Sequence, residues 1–462
     1  MNMVKSLLLG TAAGLVAMTG AQAADLPVKA KPVQYVKICS LYGAGFYYIP
    51  GTDTCIKVGG FVRAEVNFNA AGSFAVSFAD RDVRGYSAQA WRSRSGITAD
   101  ARSQTAYGTL RGYVYLAATS DNSRGAGYTQ VGGTAAVGAQ TGADAYTRLY
   151  APAGFIQFAG FTAGKTGSFF DFDGQSYSNQ SNVWSSNNAG NGADLFAYTA
   201  QLGNGVSASI SAENNNSRRM GVATTTGTAD YTLGTQPGQT MPDLVGNLRI
   251  DQAWGSAQVM GAAHAINTTT AGVDTNKYGY ALGAGLKVNL PMLGKGDSIQ
   301  GQFTYGKGAT DYVGSGLANA QTTKMSGTTS IGQAWDAVTI ANGTSVDLTT
   351  GWSITGGYEH NWVPGWKTSL YGSYGQLSYT DAASVSLAVA AATAVAGTVG
   401  SANWSYWQVG SRTVWTPVTN LDLSVEVMYQ NQDSGYTNPT AGLIGNNSWW
   451  SGMFRAQRNF YP

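Results

Sequence analysis

The sequence predicts an all-β protein in which sixteen antiparallel strands close into a barrel that crosses a membrane. Three observations support this fold class. Charged residues make up only 11% of the chain, against roughly 25% in soluble domains, whereas glycine and tyrosine are abundant at 62 and 26. Apolar and polar residues alternate with a period of two in many segments. The connections between those segments are alternately short and long.

The N-terminus predicts export. Lys5 supplies a positive charge, residues 7–18 are apolar, and residues 21–23 (Ala-Gln-Ala) form a cleavage site. We therefore expect residues 1–23 to be a signal peptide and the mature chain to begin at Ala24. The apolar run is shorter than the about 20 residues that an anchor helix needs.

The only later apolar run that approaches a membrane helix, residues 385–399, is too short and too rich in Ala and Thr to span a bilayer. We expect an unusual loop or an extended hairpin there, with an interfacial helix as the alternative. An exported chain without membrane helices can still live in a membrane as a closed barrel, because closure pairs every strand edge.

The chain has two cysteines, Cys39 and Cys55, which fall in an N-terminal segment, residues 24–55, before the first barrel strand. Because an exported protein meets an oxidising compartment, we expect them to form a disulfide. Two free thiols or a metal site are the alternatives. A metal site needs further ligands, and the two histidines, His264 and His360, lie far from both cysteines. We predict no metal site and interpret the histidines as strand or lumen residues.

Alternation in the first strands separates a polar face from an apolar one. In residues 56–68 the polar residues Lys57, Arg63, Glu65 and Asn67 fall at odd positions and apolar residues occupy the even ones, and the next two strands likewise place their polar residues on one face. The polar set, which would line the interior of a barrel, is Lys57, Arg63, Glu65, Asn67, Arg92, Arg94, Thr98, Asp100, Arg102, Arg111, Tyr113 and Tyr115. A soluble sandwich with one wet face would show the same period, so the connections must decide.

The candidate strands number sixteen. They are residues 56–68, 89–102, 108–119, 144–152, 154–166, 194–203, 205–214, 244–255, 256–267, 277–290, 297–306, 347–362, 366–380, 402–416, 420–432 and 448–460. Short turns alternate with long polar loops, one of the short turns being assigned to Pro152. An even strand count with loops sorted in this way is typical of a bacterial outer-membrane barrel, and a soluble sandwich gives no reason for such sorting. The barrel would occupy residues 56–460.

Several segments resemble the alphaproteobacterial (rhizobial-type) general porin family. They are residues 24–66, residues 92–114, "GKTGSFFDF" at 164–172 and "MFRAQRNF" at 453–460. The first of them is the most specific. The resemblance extends over the whole mature chain, although the long loops carry little of it. The resemblance implies a 16-stranded antiparallel transmembrane β-barrel that assembles as a homotrimer, with short periplasmic turns, long external loops and an inward-folded third loop. Tyr461 and Pro462, which follow the terminal aromatic Phe460, depart from the family pattern.

The third long loop, about 167–193, combines phenylalanines with carboxylates. If it folds inward, its phenylalanines can pack on the wall while Asp171 and Asp173 form the acidic side of a constriction. The expected basic side is Arg63, Arg92, Arg94 and Arg111, and further possible lumen residues are Glu65, Asp100, Arg102 and Arg148. The alternative places the loop outside, with its aromatic residues covering a neighbouring rim.

The function that this pattern and the resemblance favour is an outer-membrane porin, a water-filled channel for passive diffusion of small hydrophilic solutes and ions. One alternative is a substrate-selective channel, whose sign would be a ladder of aromatic residues in the pore. The other is a secreted β-rich adhesin or binding protein. No nucleotide-binding, serine-nucleophile or zinc motif is present, so we predict no enzyme activity, no catalytic residues and no cofactor. The net charge of +2 gives no reason to expect a nucleic-acid partner; the expected surroundings are outer-membrane lipid.

Most tryptophans lie near the ends of the candidate strands, where aromatic girdles of membrane barrels are found. These residues are Trp91, Trp352, Trp362, Trp366, Trp404, Trp407, Trp415, Trp449 and Trp450. Core tryptophans of a soluble β protein are the alternative.

Overall fold

The computed structural model describes residues 37–68, 89–121, 146–172, 177–179, 192–226, 230–235, 240–267, 277–314, 320–325, 328–340, 345–385, 387, 399–437 and 445–460. The expected signal peptide, residues 1–23, lies outside this set. Within it, no helix is long and apolar enough to cross a membrane. Short 3-10 helices occur at Ser40–Tyr42, Asn215–Ser217 and Thr310–Tyr312, and residues 381–385 form one helical turn.

The strands are, in chain order, β1 (Tyr47–Tyr48), β2 (Cys55–Phe68), β3 (Gln89–Thr105), β4 (Gly108–Asp121), β5 (Tyr146–Phe158), β6 (Phe161–Thr166), β7 (Ala193–Gly203), β8 (Val206–Glu213), β9 (Val222–Thr226), β10 (Asp230–Thr235), β11 (Asp243–Gln252), β12 (Gly255–Ile266), β13 (Lys277–Asn289), β14 (Ser298–Lys307), β15 (Ala320–Met325), β16 (Thr328–Gln333), β17 (Ala337–Ile340), β18 (Ser345–Leu348), β19 (Thr350–Val363), β20 (Trp366–Ser378), β21 (Val399–Val418), β22 (Leu421–Thr437) and β23 (Asn446–Asn459).

Sixteen of these strands form the barrel: β2–β8, β11–β14 and β19–β23. Consecutive barrel strands pair antiparallel, and the last strand pairs with the first from Phe61↔Asn459 to Phe68↔Gly452, which closes the sheet. Closure leaves no barrel edge unpaired. Seven turns join the strands at one end of the barrel, which is the end predicted to face the periplasm; six of them contain two residues, and the seventh spans residues 290–297. The predicted fold class and strand count are confirmed.

One predicted turn was wrong. Pro152 was expected to separate strands 144–152 and 154–166, but it lies inside β5, where the pairing with β4 shifts register between Tyr115 and Ala117. The chain turns instead at residues 159–160, where Ala159 and Gly160 have φ of 49° and 86°. Proline cannot donate to a strand ladder, and a bulge leaves a residue without a ladder partner, so the strand can continue through Pro152.

The outer face of the barrel is apolar and the inner face is polar. Val62, Ile97 and Ile354 point outward and are 56%, 58% and 51% exposed, whereas Gln300, Gln302 and Gln408 point inward and are buried. This reverses the arrangement of a soluble protein and matches a wall that contacts lipid. Most of the tryptophans named above lie on the outer face, but Trp404 and Trp449 are buried inside the barrel, so the girdle interpretation was wrong for these two.

The external loops contain structure that the sequence analysis did not predict. Loop 4, between β8 and β11, and loop 6, between β14 and β19, contribute the sheet β10-β9-β17-β18, and loop 6 also forms the hairpin β15–β16. Gly332 of that hairpin lies so close to Trp404 and Gln432 that an added Cβ would approach them within 2.6 Å. Trp335 of loop 6 is fully buried beside Trp404 and Tyr379. These loops therefore pack into the external end of the lumen.

Candidate functional site

The start of loop 3 (residues 167–192) packs on the inner wall of the barrel. Phe170 and Phe172 are buried against side chains of β11, β12 and β13, and Phe170 also contacts Tyr312 edge-on at 4.7 Å. Gly285 of β13 makes room for Phe172, because a Cβ there would lie 2.3 Å from its ring. The two phenylalanines thus attach the loop to the inner wall of the barrel. This confirms the predicted inward-folded third loop.

Loop 3 then reaches the wall on the opposite side of the lumen. Ser178 Oγ and Asn179 N donate to the two carboxylate oxygens of Glu426 in β22, at 2.7 and 2.9 Å. Asn179 Oδ1 accepts from Arg455 Nη1 at 2.7 Å and from Arg412 Nη1 at 3.2 Å. Charged groups from β21, β22 and β23 therefore hold one point of the loop. None of these three charged residues was predicted from the sequence as a site residue.

Asp171 is held by an ion pair with an external loop. Its Oδ1 lies 2.7 Å from Arg218 Nη2 of loop 4, and Arg218 Nη1 lies 3.5 Å from Asp311 Oδ2 of loop 6. The guanidinium is 4.6 Å from the centre of the Tyr312 ring and is almost fully buried. Burial alone would lower the pKa of Arg218, but the carboxylates of Asp171 and Asp311 more than offset this and raise it. The charge of Asp171 is thus balanced locally.

The same buried cluster continues to the barrel wall. Tyr312 donates its hydroxyl to Asp243 at 2.7 Å, and His264 Nδ1 is 2.9 Å from the same carboxylate. His264 Nε2 lies 3.5 Å from Asp336 of loop 6, which also accepts from Met220 N at 2.7 Å. We call the residues Asp171, Arg218, Asp243, His264, Asp311, Tyr312 and Asp336 the loop hub. It joins loops 3, 4 and 6 to β11 and β12.

The predicted arginines lie together on the inner face of β2–β4. Arg63 pairs directly with Arg94 and Glu65 with Arg92 in the register of β2 and β3. Arg63 Nε donates to Gln457 at 2.7 Å, and Arg94 Nε donates to Thr119 at 3.0 Å. Arg63, Arg92, Arg94 and Arg111, here called the arginine wall, thus share one face of β2–β4, and their role as the basic side of a constriction stays a prediction.

The possible lumen residues are mostly engaged in ion pairs. Asp100 bridges Arg102 and Arg111, at 2.7 and 2.9 Å. Glu65 contacts Arg455 at 2.5 Å and Arg63 at 3.7 Å. Arg148 has its backbone in β5, but its side chain lies outside the described part of the chain, as does the whole of Asp173.

The N-terminal segment is attached to the barrel by the predicted disulfide. Cys39 and Cys55 are bonded, with their Cα atoms 6.0 Å apart, and both side chains are buried. Strand β1 pairs with the first two residues of β2. Arg102 stacks 4.9 Å from the Phe46 ring, so the segment covers the inner face of β2 and β3 at their periplasmic ends.

Groups of His, Cys, Asp and Glu that could hold a metal ion are not found among the described residues. The described lumen residues supply fixed charges, hydrogen-bonding groups and aromatic surfaces. Such groups can bind and order passing ions and polar solutes.

Comparisons with known proteins extend this description. A family model described as "Porin subfamily" matches residues 25–453. Porin Omp2b of Brucella suis biovar 1 (strain 1330) is 34% identical over 259 residues, covering 55% of this chain and 64% of that protein. Porin Omp2a of Brucella melitensis biotype 1 is 35% identical over 261 residues, with the same coverage. The match thus spans less than two thirds of these relatives.

Among solved structures, the outer membrane channel DcaP of Acinetobacter baumannii is similar in fold. The TM-score is 0.59 at 15% sequence identity, and the match covers 89% of this chain and 99% of that one. At this identity the likeness shows the fold alone.

Proposed function

The chain belongs to the porin subfamily, and from this membership we propose that it forms a water-filled channel for passive diffusion of small hydrophilic solutes and ions across the bacterial outer membrane. The observation that carries the proposal is loop 3, which extends from β6 across the lumen to Glu426 and Arg455. A loop held inside a polar barrel narrows the path through the lumen and leaves the barrel wall itself unchanged. Family membership implies a channel rather than an enzyme.

We propose that the arginine wall is the basic side of the constriction. Arg63, Arg92, Arg94 and Arg111 are its members, and Glu65 and Asp100 offset part of their charge. Fixed charges at the narrowest point of a pore set its preference among ions. Asp173 is retained as a proposed acidic residue on loop 3. For Asp171 the ion pair with Arg218 supports an anchoring role instead.

We also propose that the protein is a homotrimer surrounded by outer-membrane lipid. Its support is the family resemblance together with the apolar outer face of the barrel. Mass measured by light scattering in detergent, corrected for bound detergent, should equal three chains. A mass of one chain would contradict the trimer.

The test of the channel is single-channel recording of the detergent-extracted protein in a planar bilayer. Stepwise conductance that scales with KCl concentration is expected for a diffusion pore. A substrate-selective channel would instead show low conductance that one class of solute blocks. The secreted adhesin alternative predicts no conductance at all, and that result would overturn the proposal.

A further inference from the structure

We propose that the periplasmic end of the lumen carries a binding subsite for small aromatic carboxylates, built by the N-terminal segment and the inner face of β2–β4. The inference rests on the proposed channel function, because a solute reaches this end of the lumen through the pore or from the periplasm. It adds a ligand class and a location to that function.

The subsite is a cavity of about 510 Å³. Its lining residues include Tyr42, Phe46, Lys57, Asp100, Arg102 and Tyr113. This volume lies within the range of about 300–1,000 Å³ that small-molecule sites occupy. The cavity is therefore large enough for a single aromatic ring with a charged substituent.

The charge of the cavity favours an anion. Arg102 and Arg111 each donate two hydrogen bonds to Asp100, at distances from 2.7 to 3.0 Å, so this carboxylate is saturated by two cations. Lys57 adds a third cation whose ammonium has three donor hydrogens, and it donates to Ala44 O at 3.2 Å. An entering carboxylate thus meets a net positive site, in which hydrogen bonds are charge-assisted.

Aromatic surfaces face the same cavity. Phe46 is 5% exposed and lies against the Arg102 guanidinium, which is also 5.8 Å from the Tyr42 ring. Tyr113 is stacked on Phe155 at 5.1 Å and is therefore held in a fixed orientation. Edge-on and stacked contacts between aromatic rings contribute free energy of interaction beyond that of the apolar area they bury. A ligand with both a carboxylate and a ring matches both halves of the cavity.

The disulfide positions the aromatic half. Cys39 and Cys55 pack with Phe46, and Cys39 N donates to Phe46 O at 2.9 Å. Cys55 also pairs with Arg102 in the strand register. The disulfide therefore connects the N-terminal segment directly to the strand pair that carries Arg102. The barrel seam starts only at Phe61, so the segment can be altered while the barrel stays closed.

The test uses benzoate as the probe and the whole protein in detergent. Saturation-transfer NMR should show contact between the benzoate ring and the protein, and Lys57→Gln should weaken binding about tenfold, as expected for loss of one charge-assisted hydrogen bond. The matched control is Lys287→Gln. Lys287 lies two residues beyond Gly285 on the inner face of β13, and its loss should leave benzoate binding unchanged.

A second variant tests the aromatic half. Phe46→Leu, or reduction of the disulfide, should weaken benzoate binding more than acetate binding, because only benzoate uses the ring contacts. Absence of benzoate contact in the wild type, or equal loss in Lys57→Gln and Lys287→Gln, would overturn the subsite. Conductance in KCl is measured on the same samples. If it persists without benzoate binding, only the subsite fails, whereas absence of conductance refutes the channel whatever the NMR result.

Discussion

Replacement of Arg218 by Met is expected to release the start of loop 3 from the loop hub. The substitution keeps an unbranched chain in the site but removes the charge that Asp171 and Asp311 share. At 2.7 Å and an effective dielectric constant of about 20, the attraction to Asp171 alone is about 6 kcal/mol before desolvation is subtracted. Removing one partner of a buried pair costs about 3–5 kcal/mol. The side chain of Asp171 keeps 12% exposure and can rehydrate, which favours the lower value.

A cost of about 3 kcal/mol should lower protection against hydrogen exchange in loop 3 by about a hundredfold. Two backbone amides report this loss of protection. Phe169 N donates a hydrogen bond to Glu213 Oε1 at 2.9 Å, and Asp171 N donates one to Ser168 O at 3.1 Å. Exchange measured by mass spectrometry on a peptide that spans this turn gives the free energy of local opening. Open-channel current noise should increase in the same variant.

The matched control is Arg219→Met at the adjacent position. Its guanidinium donates to Asn216 of the same turn at 3.0 Å and interacts electrostatically with Asp243 and Asp336 of the hub, so this variant removes a neighbouring charge while the Asp171–Arg218 pair is kept. Protection that is unchanged in Arg218→Met, or lost equally in Arg219→Met, would refute the hub as the anchor. The double variant Asp171→Asn with Arg218→Met should cost less than the sum of the two single changes, because each removes the same pair.

Three other outcomes are expected. Thiol reagents should not label the denatured, non-reduced protein, and labelling of both cysteines would contradict the disulfide. Asp173→Asn should raise relative anion permeability at low salt, where the Debye length is about 30 Å, and Arg92→Ala with Arg94→Ala should lower it; unchanged reversal potentials would remove these residues from the constriction. In the turn 290–297, burial opposes ionisation of Asp297, but hydrogen bonds from Asn361 and its neighbours lower the pKa of that carboxyl overall. Its stabilisation of the turn should therefore be present above pH of about 4 and be lost below it, whereas Asp297→Asn should show no such pH dependence in exchange of the turn amides.

The barrel could be predicted because the alternation of polar and apolar residues that specifies it can be read within each strand. Val58 and Val62 face out while Lys57 and Arg63 face in, and a period of two can be read from any one strand. A turn was predicted at Pro152 because proline usually ends a strand, and only the pairing with β4 reveals that this residue falls at a register shift.

The loop hub could not be predicted from the sequence. Asp171 and Arg218 are 47 positions apart, and Met220 and Asp336 are 116 apart, with no period or motif to connect them. Strands β9, β10 and β15–β18 were also missed, since short polar segments rich in Thr and Gly look like loops until their partners are known. A histidine and several acids spread over four elements gave no local signal.

The contacts of Asn179 constrain the order in which the molecule assembles. Its partner Arg455 is 276 positions later, in the strand that closes the seam. Asn179 can bind Arg455 only after β23 is in place, whereas the contacts of Phe170 and Phe172 with β11–β13 do not require that strand. Pulsed exchange during refolding should show protection of the seam before protection of Asn179. The attachment of loop 3 to the far wall is thus completed only after the barrel closes.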